Sequence, residues 1–175
     1  MRANVLAFLG RHDEAHAIGK QFGDIGSDQD DSGAHILLHL FEVAILGSDE
    51  ETVRVLSRRL APLAGQLFLG DSEFGGSIAR LLGDAAALLG NPDEARAYYQ
   101  QALEVCAKVR FRPEIAITRL HLAELLLDEA LTPTLSQSES EQALAHLDFA
   151  IAEFREMKMQ PFLERALRHQ GLLHA

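Results

Sequence analysis

The sequence predicts an all-α protein built from helical pairs laid side by side. Three observations predict it. Leu and Ala together number 54 against 14 for Val and Ile, a skew that favours helices over sheets. Apolar residues recur at helical spacing over most of the chain, most clearly at Ile78, Leu81, Leu82, Ala85, Leu88 and Leu89. One turn sequence recurs as well. Gly10-Arg11-His12-Asp13-Glu14-Ala15 matches Gly90-Asn91-Pro92-Asp93-Glu94-Ala95 at Gly, Asp, Glu and Ala, and Gly47-Ser48-Asp49-Glu50-Glu51-Thr52 is a weaker copy.

Taken in order, the units are expected at about 1–26, 32–66, 76–109 and 113–157, with a final helix at 160–173. They form one repeat domain over residues 1–175. The first unit opens mid-pattern, as a short first helix or as part of a longer protein. Asp31 or Ser32 is expected to cap the helix that opens the second unit. In the third, Gly90 ends one helix by accepting a left-handed backbone. Asn91 caps the next, and Pro92 fits its first position, where no N–H is required. Asp93 and Glu94 then sit where the helix dipole favours negative charge. Ala95, Tyr99, Ala102 and Cys106 form one stripe, with Tyr98 pointing away to the surface. The fourth hairpin has a long polar connector, Thr-Pro-Thr-Leu-Ser-Gln-Ser-Glu-Ser, with serines suited to capping. The last helix starts at Pro161 and carries Phe162, Leu163, Ala166, Leu167 and Leu173.

The 175 residues are 47% hydrophobic and 24% charged, enough to bury a core. The net charge of −10 argues against nucleic acid, whose recognition needs clustered Lys and Arg, and against an anionic membrane surface. No apolar run is long enough to span a membrane. The single Cys106 leaves no internal disulfide and no cysteine-based zinc finger. The expected location is cytoplasmic.

The third unit resembles a tetratricopeptide repeat. With Gly76 as its first residue, Leu82 and Gly83 fall on the Leu-Gly pair, and Ala95, Tyr99 and Ala102 on the small, aromatic and small positions of the second helix. Small residues let two helices approach closely while Leu82 and Tyr99 fill the space beside them. Ala79 and Ala86 depart from the large aromatic positions, and Ala107 from the terminal Pro. The turn glycines are spaced by 37 and 43 residues rather than 34. The resemblance implies a right-handed α-α superhelix of about four such hairpins plus a C-terminal helix. Residues 110–130 and 141–166 are similar to the helical-repeat region of bacterial signalling ATPases, including adenylate-cyclase-like and LuxR-type regulators. That similarity implies a sensor or scaffold that binds a protein or peptide.

In such repeats the first helix of each pair lines a groove. The register places Ser77, Arg80, Asp84, Ala87 and Leu88 there in the third unit, Ile117, Leu120, Glu124, Leu127 and Asp128 in the fourth, and Ala34, Leu37, Phe41, Ala44 and Ile45 in the second. Phe41 and Leu120 are the expected apolar anchors. Arg80, Asp84, Glu124 and Asp128 are the expected source of specificity. Phe41, Leu120 and Leu127 also suit an ordinary core. No enzymatic reaction and no cofactor are expected. The terminal helices offer an alternative role, as a homodimer contact.

Other patterns are weaker. His12 with His16 and His35 with His39 stand at i,i+4, as zinc binding can use. Asp13 occupies the place that a zincin general base would need, so the first pair reads as part of the turn. Asp28–Gly33 opens like a calcium loop, but His39 stands where the bidentate Glu belongs. Gly70–Ser77 has phosphate-loop glycine spacing without its Lys, and is expected to be an inter-repeat hinge. Arg54, Arg58 and Arg59 form a short basic face that Glu50 and Glu51 can neutralise.

Overall fold

The computed structural model describes residues 2–19, 32–69, 75–130 and 136–173. They form helices α1 (Arg2–Phe8), α2 (His12–Gly19), α3 (Ala34–Leu46), α4 (Glu50–Leu60), α5 (Ile78–Leu88), α6 (Pro92–Val109), α7 (Arg112–Ala130), α8 (Gln137–Glu156) and α9 (Gln160–Leu173), with two short strands between α4 and α5. The chain is therefore predominantly helical, in a tetratricopeptide-like arrangement of helix packed on helix. It divides into two compact units, Met1–Tyr98 and Tyr99–Ala175, the division falling within α6.

Five helix joins among the described residues share one geometry. Gly10, Ser48, Gly90, Arg110 and Lys158 all lie in the left-handed region, with φ between 54° and 75°. Each donates its N–H to the carbonyl three residues back, and the next residue donates to the carbonyl five back. The second set runs Arg11 to Leu6, Asp49 to Ala44, Asn91 to Ala86, Phe111 to Cys106 and Met159 to Phe154. This is the Schellman motif, which satisfies the last carbonyls of a helix. The carbonyl of the same next residue then accepts the first bond of the following helix, for example Ala15 to Arg11 and Ala95 to Asn91. Two residues thus reverse the chain. Glycine takes this conformation without a Cβ clash at Gly10 and Gly90. At the second turn the expected Gly47 is ordinary, with φ −86°, and Ser48 takes the left-handed place. The turn copies therefore align Gly10 and Gly90 with Ser48, one residue later than the sequence match.

Side chains cap two of the helix starts. Asp49 accepts from the Thr52 N–H at 3.2 Å. Ser136 and Glu139 form a reciprocal box, the Glu139 carboxylate accepting from the Ser136 N–H at 2.9 Å. At α3 the cap is Gly33, one residue beyond the expected Asp31 or Ser32, and no side chain contributes.

The expectation of a purely α protein is corrected by an antiparallel strand pair, β1 (Leu67–Leu69) and β2 (Gly75–Ser77), in register Leu67 with Ser77, Phe68 with Gly76 and Leu69 with Gly75. A three-residue run has too little period to read from sequence, and its partner is chosen in three dimensions. The part of the expected hinge at Gly75–Ser77 is therefore a strand that leads directly into α5. Residues 70–74 of that segment lie outside the described residues.

In the first unit, α1 packs against α2 and α3, and α3 against α4 and α5. Ala3, Leu6, Ala7, Ala15 and Val43 form one of its apolar clusters. In the second unit, α8 packs antiparallel to α7, since Arg112 at the start of α7 meets Glu153 and Glu156 at the end of α8. The helix α9 returns along α8, so α7 and α9 run alike. Ala116, Leu120, Ala123, Leu147, Ala150, Ile151, Phe154 and Ala166 fill the space between them. Phe154 stacks on Phe162 with ring centroids 5.5 Å apart.

Candidate functional site

The expected groove residues divide between the two units. In the first, Phe41 has no exposed surface. Arg80 and Asp84, one turn apart on α5, are held together: Arg80 Nη1 donates to Asp84 Oδ2 at 2.8 Å, with both side chains nearly withdrawn from water. In the second, Leu120 is also fully buried and belongs to the core between α7, α8 and α9. Phe41 and Leu120, expected as ligand anchors, thus hold helices together and present nothing to a partner. Glu124 is half-buried and engaged. It accepts from Arg165 Nε and Nη2 at 2.5 and 2.6 Å, and lies 2.9 Å from His169 Nε2. Asp128, in the last turn of α7, is exposed.

The structure adds residues that the sequence reading did not single out. Arg119 on α7 lies over the ring of Phe149 on α8, 4.3 Å from its centroid. Its Nη1 sits 3.4 Å from His146 Nδ1. Burial, together with the Arg119 charge, holds the His146 imidazole below the ordinary histidine pKa. Further along the same flank, Arg112 donates to both Glu153 and Glu156, and these bonds stabilise its charged form. The signal for these pairs was incomplete. Arg112 and Arg119 are two turns apart, as are His146 and Glu153, but their pairing depends on how α8 returns after the connector.

The histidine pairs do not assemble a metal centre among the described residues, where no group of three potential ligands occurs. Burial, aided by the charge of His35, depresses the pKa of His39. His12 is exposed, and the side chain of its mate His16 lies outside the described residues. The calcium-like stretch likewise lies outside them, except Ser32 and Gly33. On the basic face of α4, Arg54 pairs with Glu50 at 2.6 Å. Cys106 is buried. No described helix is long and apolar enough to cross a membrane.

The stripe of Ala95, Tyr99, Ala102 and Cys106, following the turn at Gly90, is buried. Residues 76–131 match the tetratricopeptide repeat. The matched stretch runs from β2 through α5 and α6 to the end of α7. Gly83 and Ala95, the small tetratricopeptide positions, are both buried, as close helix packing requires. No curated protein and no solved structure matches the chain.

Proposed function

We propose that the chain is a protein–protein interaction module, a scaffold or sensor segment of a bacterial signalling or regulatory protein. It binds a peptide or partner domain along the face lined by the first helix of each pair. The observation that carries this reading is the tetratricopeptide match over residues 76–131, set among helices joined by tight two-residue turns. Such joins fix neighbouring helices rigidly, and a preformed surface binds with little ordering cost. No reaction is assigned to it.

With the apolar candidates Phe41 and Leu120 committed to the core, recognition on α7 falls to its polar exposed positions, Asp128 first. The test is affinity capture with the tagged chain, followed by calorimetric titration of the captured protein. Asp128→Lys is expected to weaken binding at least tenfold at unchanged melting temperature. A partner indifferent to the charge at Asp128, or no saturable protein partner, would overturn the groove reading.

A second reading, self-association through the last helix, is favoured by Leu167, which stands 37% exposed on α9. Light scattering before and after Leu167→Asp decides it. A dimer that becomes a monomer supports this reading, and a monomer in both cases excludes it.

A further inference from the structure

The two edges of the β1–β2 pair are not alike. The Ile78 N–H donates to the Gln66 carbonyl at 3.2 Å, which sets the phase of the ladder. With Leu67 opposite Ser77 and Phe68 opposite Gly76, the hydrogen-bonded pair is then Phe68 with Gly76. The backbone N–H and C=O groups of Leu67 and Leu69 therefore point away from β2, and among the described residues nothing bonds to them. On the β2 side the pair is covered: Gly76 and Ser77 are buried, and the strand runs directly into α5. On the β1 side it is open. Gln66 is exposed, Leu67 and Phe68 are only half-buried, and β2 is the one described element packed extensively along β1. Leu67, Phe68 and Leu69 also bring no charge, no Pro and no bulge, the devices that keep a strand edge from pairing.

We propose that the outer edge of β1 is a second recognition surface, which takes an extended segment of a protein partner as a third strand. The outward groups of Leu67 and Leu69 recur at the two-residue repeat of an extended chain, about 7 Å. A helix spends its backbone groups on itself and cannot meet them. Leu67 and Phe68 stand on opposite faces of β1, so an incoming strand finds an apolar side chain to lie beside on either face.

Size and charge select the occupant. Two copies joined β1 to β1 would meet over three residues a side, where a stable union of folded proteins uses about 20–30. Each copy would also bring a net charge of −10. A short flexible segment needs no such area, and the same charge favours one that carries Lys or Arg on either side of an uncharged strand.

The inference rests on the reading of the chain as a protein-binding module, but concerns a different surface and is tested separately. The full chain is titrated in nuclear magnetic resonance with a blocked Lys-Thr-Val-Thr-Val-Lys peptide, with the same peptide N-methylated at its four central residues, and with a counterpart flanked by Glu. The first is expected to shift the Leu67 and Leu69 amide resonances saturably and to slow their hydrogen exchange. The Phe68 amide, already bonded to Gly76, should barely respond. The N-methylated peptide, which lacks the donors, is expected to do neither, and the Glu-flanked peptide should bind more weakly than the first. Leu69→Pro removes an outward N–H while sparing the ladder to β2, and should weaken the first peptide roughly tenfold. Asp128→Lys should leave that peptide's binding unchanged. Equal response to the N-methylated or Glu-flanked peptide, a response at Phe68 in place of its neighbours, or no response would overturn the proposal. Protection of Leu67 and Leu69 that rises with the concentration of the chain alone would assign the edge to a second copy and overturn it too. The wild-type titrations decide this even if Leu69→Pro fails to fold. Strand-specific shifts support the β1 edge even where Asp128→Lys leaves partner capture intact, a result that removes only the groove reading.

Discussion

Arg165 of α9 grips Glu124 of α7 with two parallel hydrogen bonds, at 2.5 and 2.6 Å, across 41 residues of sequence. The Glu124 side chain is 15% exposed and that of Arg165 44%. The pair therefore sits at the edge of the core, where it fixes the rotation of α9 about its axis. Arg165→Ala leaves a half-buried carboxylate with His169 alone. After discounting for the exposed arginine, the expected loss is about 1 kcal/mol. Hydrogen exchange should show the loss in α9 first, with α7 protected as before. Uniform loss across both helices would mean that the pair does not dock α9.

The core itself should respond more strongly. Phe154 has no exposed surface and stacks on Phe162. Phe154→Ala is expected to cost about 3–5 kcal/mol through the cavity left between α7, α8 and α9. Tyr99 is almost fully buried and meets His121 edge-on, with centroids 6.2 Å apart. Tyr99→Ala should cost a similar amount, roughly 3–5 kcal/mol. Chemical denaturation checks both, and a near-neutral midpoint for Tyr99→Ala would show that its stripe does not face the core.

The Schellman joins predict opposite signs at two positions. Gly90 has φ +75°, and an added Cβ would meet nothing within 4 Å. Gly90→Ala therefore suffers only the backbone penalty, about 1–2 kcal/mol of destabilisation. Lys158 already bears that penalty at φ 57°. Lys158→Gly relieves it and returns part through the greater freedom of the unfolded chain, for a net gain of up to about 1 kcal/mol. Thermal melts of the two variants should move in opposite directions.

Stability should fall on mild acidification. The His146 and His39 imidazoles are both held below the ordinary value of 6.5, by burial first. In the unfolded chain these groups take up protons as the pH drops through 6.5, while the folded chain resists until lower pH. Their contribution is thus complete above 6.5 and is lost as the pH falls from there toward the depressed folded values. Melting temperatures between pH 7.5 and 5 should decline, and His146→Gln should flatten part of that decline. A wild-type chain equally stable at both ends would contradict the burial of these rings.

The local features were legible before any coordinates. Helical spacing from Ile78 to Leu89, the reversal at Gly90 and the stripe from Ala95 to Cys106 are written in residues within a few turns of one another. Their physics is local: backbone propensity, a left-handed glycine, a cap. The turn at Ser48 was displaced by one residue because a non-glycine can take the left-handed place when flanking helices hold it there. The strand pair at Leu67 and Ser77 escaped because three residues carry no period.

The sequence alone determined that this chain makes helices, where most of them reverse, and which stripe of α6 is apolar, since each follows from bonds and side chains close in the chain. Only the tertiary structure decided that Phe41 and Leu120 are core, that Glu124 belongs to Arg165, and that Arg119 rests on Phe149 without an acid. Those outcomes depend on the axial rotation and sliding of one helix against another, which are set by packing between residues far apart in sequence.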